Sequence, residues 1–372
     1  MKKLYMRLAR ILLFASTLQF AAAQLYCSSG IFFSAASPSV QTITVADLSG
    51  AHVKFKYKGV EPSEQGIPNF IMVIPSSATT PASVQIALNP NVVSLLHPLS
   101  VYVLGVGFSP VDQTPADPGC GVSVTLHMPA EPPPSVQSVV NSASLRPVLS
   151  PGALVSIFGS HLTGPTLSTT FDDTASYPTS VAATTVTFNG VAAPLLYLSP
   201  SQINAIVPFS LAGQTSLQVA VQRFELVSAS VTVPSLDTAP AVFTSSQTGT
   251  GQAAVLQHAF NGPLSYNSSS NPAPAGTYLE IFATGQGLWT PPPQSDVFFF
   301  GESFTTQPVT LTIGGLPAKI VYAGTLGATL NSWSVLQVNA LVPDGVGSGA
   351  QPVVLKIGAN DNSQQKVTVA VQ

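Results

Sequence analysis

The chain has little charge. Only 7% of its 372 residues are Asp, Glu, Lys or Arg, against 45% hydrophobic, so Ser, Thr, Asn, Gln and backbone must cover the surface. With 12 basic residues and 15 acidic ones it lacks the basic stripe that neutralises phosphates, which argues against nucleic acid and anionic membrane surfaces as partners. Long apolar runs are missing as well. None reaches the roughly 18 residues that suggest a membrane span, so no span is expected. Amphipathic helical periodicity is also absent. In its place 28 glycines and 33 prolines break the chain at short intervals, the rhythm of strands and turns in an all-β protein.

Lys2, Lys3, Arg7 and Arg10, the apolar stretch from Ile11 to Phe20 and the small residues Ala21, Ala22 and Ala23 predict a secretory signal peptide cleaved after Ala23. The other reading, a membrane anchor, needs a longer run. Cleavage removes four basic residues and no acid, taking the net charge from −3 to −7. Only two cysteines remain to meet an oxidising compartment, Cys27 and Cys120, and two lone thiols there are expected to pair. A disulfide closing so long a loop contributes about 4 kcal/mol on the chain-entropy account. Acylation of Cys27 is the competing reading, but it wants a small residue in front and finds Tyr26.

What is present in quantity is an internal repeat. Gln202-Ile203-Asn204-Ala205-Ile206-Val207-Pro208 returns 135 positions later as Gln337-Val338-Asn339-Ala340-Leu341-Val342-Pro343. The match extends upstream: Gly152 to Ser160 aligns with Gly276 to Thr284, and Val186 to Tyr197 with Leu311 to Tyr322. Each copy reads as a strand, a glycine-bearing turn and a second strand, a hairpin. Copy two carries ten extra residues after Tyr322, and they contain Trp333. Asparagine is a poor strand former, so its return within Gln202-x-Asn204 and Gln337-x-Asn339 predicts side chains bonded to the backbone of a neighbouring loop.

Residues 24–130 hold their own strand pattern, in which Val53, Phe55 and Tyr57 alternate with Lys54, Lys56 and Lys58. The lysines read as a solvated face protecting a sheet edge. Pro129-Ala130-Glu131-Pro132-Pro133-Pro134 reads as a stiff extended linker. The expected order is a signal peptide (1–23) followed by three tandem immunoglobulin-like β-sandwiches over 24–130, 135–237 and 238–372, the last with the insertion.

Asn141-Ser142-Ala143-Ser144, Leu149 to Gly159, Asn189 to Pro194, Ser199 to Pro208, Ala239 to Thr244, Gly251 to Ala254 and Ala283 to Gly287 resemble, in order over about 135–345, the acidobacterial secreted family known as the Solibacter C-terminal domain. That resemblance implies a secreted bacterial protein and carries no activity or catalytic residues. Each repeat is similar to the immunoglobulin-like IPT/TIG module, whose pattern of glycine, hydrophobic strand and glycine fits Gly152 to Gly159. Thr80-Pro81 and Val84 to Pro90 resemble BACON domains, which implies carbohydrate or mucin binding for the first domain.

Chemistry is sparse. There is no Gly-x-Ser-x-Gly elbow to make a serine nucleophilic. The run Gly249-Thr250-Gly251-Gln252-Ala253-Ala254 lacks the βαβ unit that would turn it into a dinucleotide site, and reads as a turn entering a strand. His52, His97, His127, His161 and His258 stand at least thirty residues apart, which is not zinc spacing. Asp172-Asp173 and Asn360-Asp361-Asn362 offer few converging oxygens for calcium and read as loop and hairpin turn. No enzyme activity, catalytic residue, cofactor or metal is therefore expected. The aromatic loops of the last domain, with Trp289, Phe299 and Trp333, point two ways: rings that stack on a ligand at one end of the sandwich, or rings that plug the gap between the second and third domains. The functional expectation is a secreted or cell-surface binding or adhesion protein, with an extracellular glycan, cell-wall polymer or surface protein as partner. The alternative is a non-catalytic accessory of a secreted polysaccharide- or protein-degrading system.

Overall fold

The computed structural model describes residues 24–372 apart from 29, 35–36, 63–66, 112–118, 165, 170–176, 260–261, 294–301, 326–333 and 363–364. The signal-peptide expectation therefore lies outside the described residues, as do those for Asp172-Asp173, Phe299 and Trp333. Among the described residues strand makes up 54% and helix 3%, which fixes the class as all-β. The chain divides into two compact units, 1–130 and 131–372.

In the first unit two sheets enclose one core. A four-stranded sheet runs in the order Leu25–Cys27, Val40–Asp47, Ala82–Leu88, Ile71–Ile74, and a five-stranded sheet in the order Ile31–Phe33, Cys120–His127, Val101–Pro110, Lys54–Pro62, Ser77–Thr79. Period-two alternation supplies the buried faces, with Phe33, Ile43, Phe55, Val84, Leu104 and Phe108 among the core side chains. The lysine-bearing strand lies one place in from the edge, because Ser77–Thr79 pairs along Lys54 to Lys56; the lysines face solvent but do not guard an edge. Cys27 and Cys120 are joined in a disulfide, with their Cα atoms 5.6 Å apart, and so tie the two sheets together.

The second unit holds the repeat. In copy one Leu154–Ser160 pairs with Gln202–Ile206 so that Leu154 faces Ile206, Ser156 faces Asn204 and Phe158 faces Gln202. In copy two Tyr278–Thr284 pairs with Leu336–Leu341 in the same register: Tyr278 with Leu341, Glu280 with Asn339, Phe282 with Gln337. Each copy closes a sandwich with a second sheet, built on Thr184–Phe188 and Ser216–Arg223 in the first and on Val309–Ile313, Gly349–Ile357 and Val367–Val371 in the second.

The turns do as their residues demand. Asn189 and Gly190 have φ of 48° and 83°, Gly314 and Gly315 have 61° and 81°, so both copies make the left-handed two-residue turn that matches strand twist. The second arm of the hairpin differs from expectation. Its mates are the short strands Val191–Ala192 and Leu316–Pro317, after which the chain crosses to the other sheet as Leu195–Leu198 and Lys319–Thr325. Pro194 and Pro317 stand at these corners, and a residue with no N–H cannot extend the ladder.

The two sandwiches of this unit pack against each other. Tyr177, Ile206 and Phe209 of the first belong to the same hydrophobic core as Leu279, Trp289 and Val338 of the second. Buried Asn141 accepts from the N–H groups of Ala143 (2.9 Å) and Ser144 (3.2 Å) and donates to Ala239 O (3.2 Å). Buried Gln365 accepts from Val242 N–H (2.9 Å) and donates to Ala143 O (2.9 Å) and Val242 O. Glu131 of the proline-rich stretch is held by buried Arg223 at 3.0 and 3.1 Å, so that end of the expected linker is anchored to the sandwich.

Candidate binding face

The two copies put the same sheet face to different uses. In copy one Leu154, Leu196 and Ile206 pack into the core shared with the last sandwich, and Leu154 N–H donates to Thr284 Oγ1 at 2.9 Å. Their counterparts in copy two are Tyr278, Val321 and Leu341. These are not buried, and Val321 is 48% exposed.

Register lines up the side chains of this uncovered face. Tyr266 pairs with Leu256, Leu256 with Glu280, Glu280 with Asn339, and Asn339 with Tyr322, one residue from each of five neighbouring strands. A second row runs His258, Tyr278, Leu341, Lys319, and a third Phe282, Gln337, Gly324, Phe304. Tyr266 is 78% and Phe304 45% exposed. The Tyr322 side chain lies over Gly324, where an added Cβ would stand 2.7 Å from Tyr322 Oη; its hydroxyl donates to Thr325 O at 2.6 Å, and Phe304 meets the ring edge-on at 5.9 Å. Burial, with the neighbouring Glu302 carboxylate, raises the Tyr322 hydroxyl above the ordinary phenol value, so it remains a donor at neutral pH. His258 stacks on Tyr278 at 5.2 Å and sits 3.7 Å from Glu280 Oε1.

The repeated amides belong to this face. Gln337 Nε2 donates to Asn339 Oδ1 at 2.9 Å, as Gln202 Nε2 does to Asn204 Oδ1 at 2.8 Å, and Ser156 Oγ adds a second partner to Asn204 at 3.1 Å. The expected loop-backbone partners are thus replaced by side chains of the same sheet, because i and i+2 point to one side of a strand. Asn339→Ala should then cost less than about 1 kcal/mol and Asn204→Ala about 1 kcal/mol, the scale of one hydrogen bond between half-buried groups. Urea unfolding of the two variants checks this, and a loss of 3 kcal/mol in either would contradict it.

Of the two roles expected of Trp289, the structure contradicts ligand stacking. Its ring is 2% exposed and lies in the core that the two sandwiches share, on a short strand that pairs with Phe304–Thr305. The sequence reading also missed Tyr266, Tyr278, Tyr322 and Phe304. The signal was there in Tyr278-x-Glu280-x-Phe282 and Gln337-x-Asn339-x-Leu341, two strands with polar and aromatic residues in phase.

Beside the junction opens a cleft of about 350 Å³ lined by Ser144, Arg146, Leu236, Pro240, Asn360 and Asp361. Its amides are already committed to the fold: Asn360 Nδ2 donates to Thr238 O at 2.9 Å, and Asn362 Oδ1 accepts from Leu355 N–H at 2.7 Å. Among the described residues no group of three or more His, Cys, Asp or Glu could hold a metal ion, and no helix is long and apolar enough to cross a membrane.

These features define a tandem β-sandwich protein of immunoglobulin-like class. Residues 134–234, the first sandwich of the second unit, match the IPT/TIG domain. Similar solved structures include the full extracellular region of plexin A4, 13% identical with a TM-score of 0.24, covering 91% of this chain and 33% of that chain. This chain thus spans about a third of the plexin chain's length. Another is the E. coli chaperone DraB, at 12% identity and TM-score 0.24, covering 57% of this chain and 98% of that one. A third is the CsuC–CsuE chaperone–tip adhesion subunit pre-assembly complex of Acinetobacter baumannii Csu pili, at 8% and 0.23, covering 58% and 100%. Comparison with curated proteins gives no match.

Proposed function

We propose that this chain is a secreted, non-enzymatic binding or adhesion protein of three sandwiches, exported by the segment ending at Ala23, and that its ligand is a glycan or cell-wall polymer held on the uncovered face of the last sandwich. The observation that carries this reading is the row Tyr266–Leu256–Glu280–Asn339–Tyr322. Rings at both ends of a row that carries a carboxylate and an amide offer what a sugar needs, stacking for its apolar face and hydrogen bonds for its hydroxyls. The resemblance of residues 135–345 to a secreted bacterial family supports the location.

The test is a glycan and cell-wall polymer array on the chain from residue 24, with Tyr266→Ala and Tyr278→Ala beside the parent. Each variant should lose about five-fold or more in affinity, the worth of roughly 1 kcal/mol per stacked ring. Melting curves should stay close to the parent for Tyr266→Ala, because an exposed ring holds no core. A parent that binds nothing on the array, or variants that bind as it does, would overturn the reading.

A further inference from the structure

We infer that the polymer is an uncharged, extended polysaccharide lying across the strands; this rests on the glycan reading above and narrows it. Length comes from the row itself. Five strands in succession contribute one residue each, so four inter-strand steps of about 4.8 Å give a track of about 19 Å, the length of a short run of sugar rings rather than of one terminal sugar. The track is a sheet face, and the sheet continues past Tyr322 to Phe304–Thr305, which suits a continuous chain.

Charge selects the class. Glu280 lies in the middle of the row, and Glu302 stands against Tyr322 at its end. Near them stand the Lys319 ammonium, one row away, and the His258 ring, which is already placed against Glu280 at 3.7 Å. A uronate, sulfate or phosphate polymer would meet these carboxylates without a basic partner in the row, and like charges repel. Neutral hydroxyls, by contrast, can donate to Glu280, and hydrogen bonds to an ionised acceptor are the stronger kind. With Asn339 Oδ1 taken by Gln337, the Asn339 amide N–H groups supply the complementary donors.

Comparison with the covered copy argues against a protein occupant. Where copy one docks a sandwich it places Leu154, Ser156 and Ile206; copy two has Tyr278, Glu280 and Leu341 at the same register. Burying Glu280 under an apolar protein surface would strip the water that its half-buried carboxylate keeps, with only the His258 ring 3.7 Å away to offset the loss. A hydrated, hydroxyl-rich chain leaves that carboxylate solvated and bonded.

The experiment is native affinity electrophoresis of the full chain through gels holding hydroxyethylcellulose, a neutral soluble β-glucan, or alginate, a polyuronate, with sedimentation velocity on the same sample. Retardation in the neutral gel, none in alginate, and a loss of at least five-fold in affinity for Glu280→Gln are expected, with affinity for neutral oligosaccharides rising up to about four sugar units and then levelling. Equal or stronger retardation by alginate, undiminished in Glu280→Gln, would overturn this inference while the glycan reading stands. Failure to bind any polymer, in gel or on the array, would remove both. Concentration-dependent self-association abolished by Tyr278→Glu would make the face a protein interface and overturn the inference as well.

Discussion

Trp289→Ala is expected to lower the stability of the second unit by about 3–5 kcal/mol, the range for removing a fully buried large aromatic side chain. The ring is 2% exposed and shares its core cluster with Tyr177, Ile206 and Phe209 of the preceding sandwich and with Leu279, Ile281 and Val338 of its own. Because it follows the tight Gly285-Gln286-Gly287 turn, whose glycines have φ of 82° and 79°, the backbone around it cannot readily collapse into the space vacated. The cavity then persists, which is the costly case. Urea unfolding of the full chain, followed by circular dichroism, measures the loss. A curve that overlays the parent, with reduced glycan retention, would restore Trp289 to the ligand-contacting role that the structure denies it.

Trp289 also marks where the sequence stops being readable. The two copies and their shared register were legible, since a side-chain period of two and a matching Gln-x-Asn leave one way to align the strands. The Asn189-Gly190 and Gly314-Gly315 turns were legible for the same local reason. Which face each copy buries was not. Leu154 and Tyr278 occupy equivalent places on equivalent strands, and both fit a half-buried surface; only the neighbour 130 residues away, Thr284 against Leu154, separates a docked face from an open one. A tryptophan between glycines and prolines carries no local mark that chooses between stacking on a ligand and packing between sandwiches, so its burial is a tertiary outcome. Asn141, Ala239 and Gln365 show the same limit from the other side. Their bonds span 98 residues for Asn141 to Ala239 and 222 for Gln365 to Ala143, distances at which no pattern in the chain reports a partner.

That long-range seam gives the other large effect. Gly285→Ala should destabilise the second unit by about 2–5 kcal/mol, from about 1–2 for a left-handed non-glycine residue and about 1–3 for overpacking. At φ of 82° its added Cβ would stand 1.9 Å from Ala239 O, and 3.2 Å from Asn141 Nδ2. Real contacts do not come that close, so the Ala239 segment must move. When it moves it takes with it the Ala239 N–H to Gly285 O bond of 2.7 Å and the Asn141 bond to Ala239 O. Both sandwiches lose a tie through one methyl group. Their shared core makes them unfold together, so the variant should lower the midpoint of one common transition rather than split off a less stable last sandwich. Calorimetry of the full chain decides it: a separate low-temperature transition in Gly285→Ala would show that the sandwiches fold independently, and an unshifted thermogram would show that the seam tolerates the methyl.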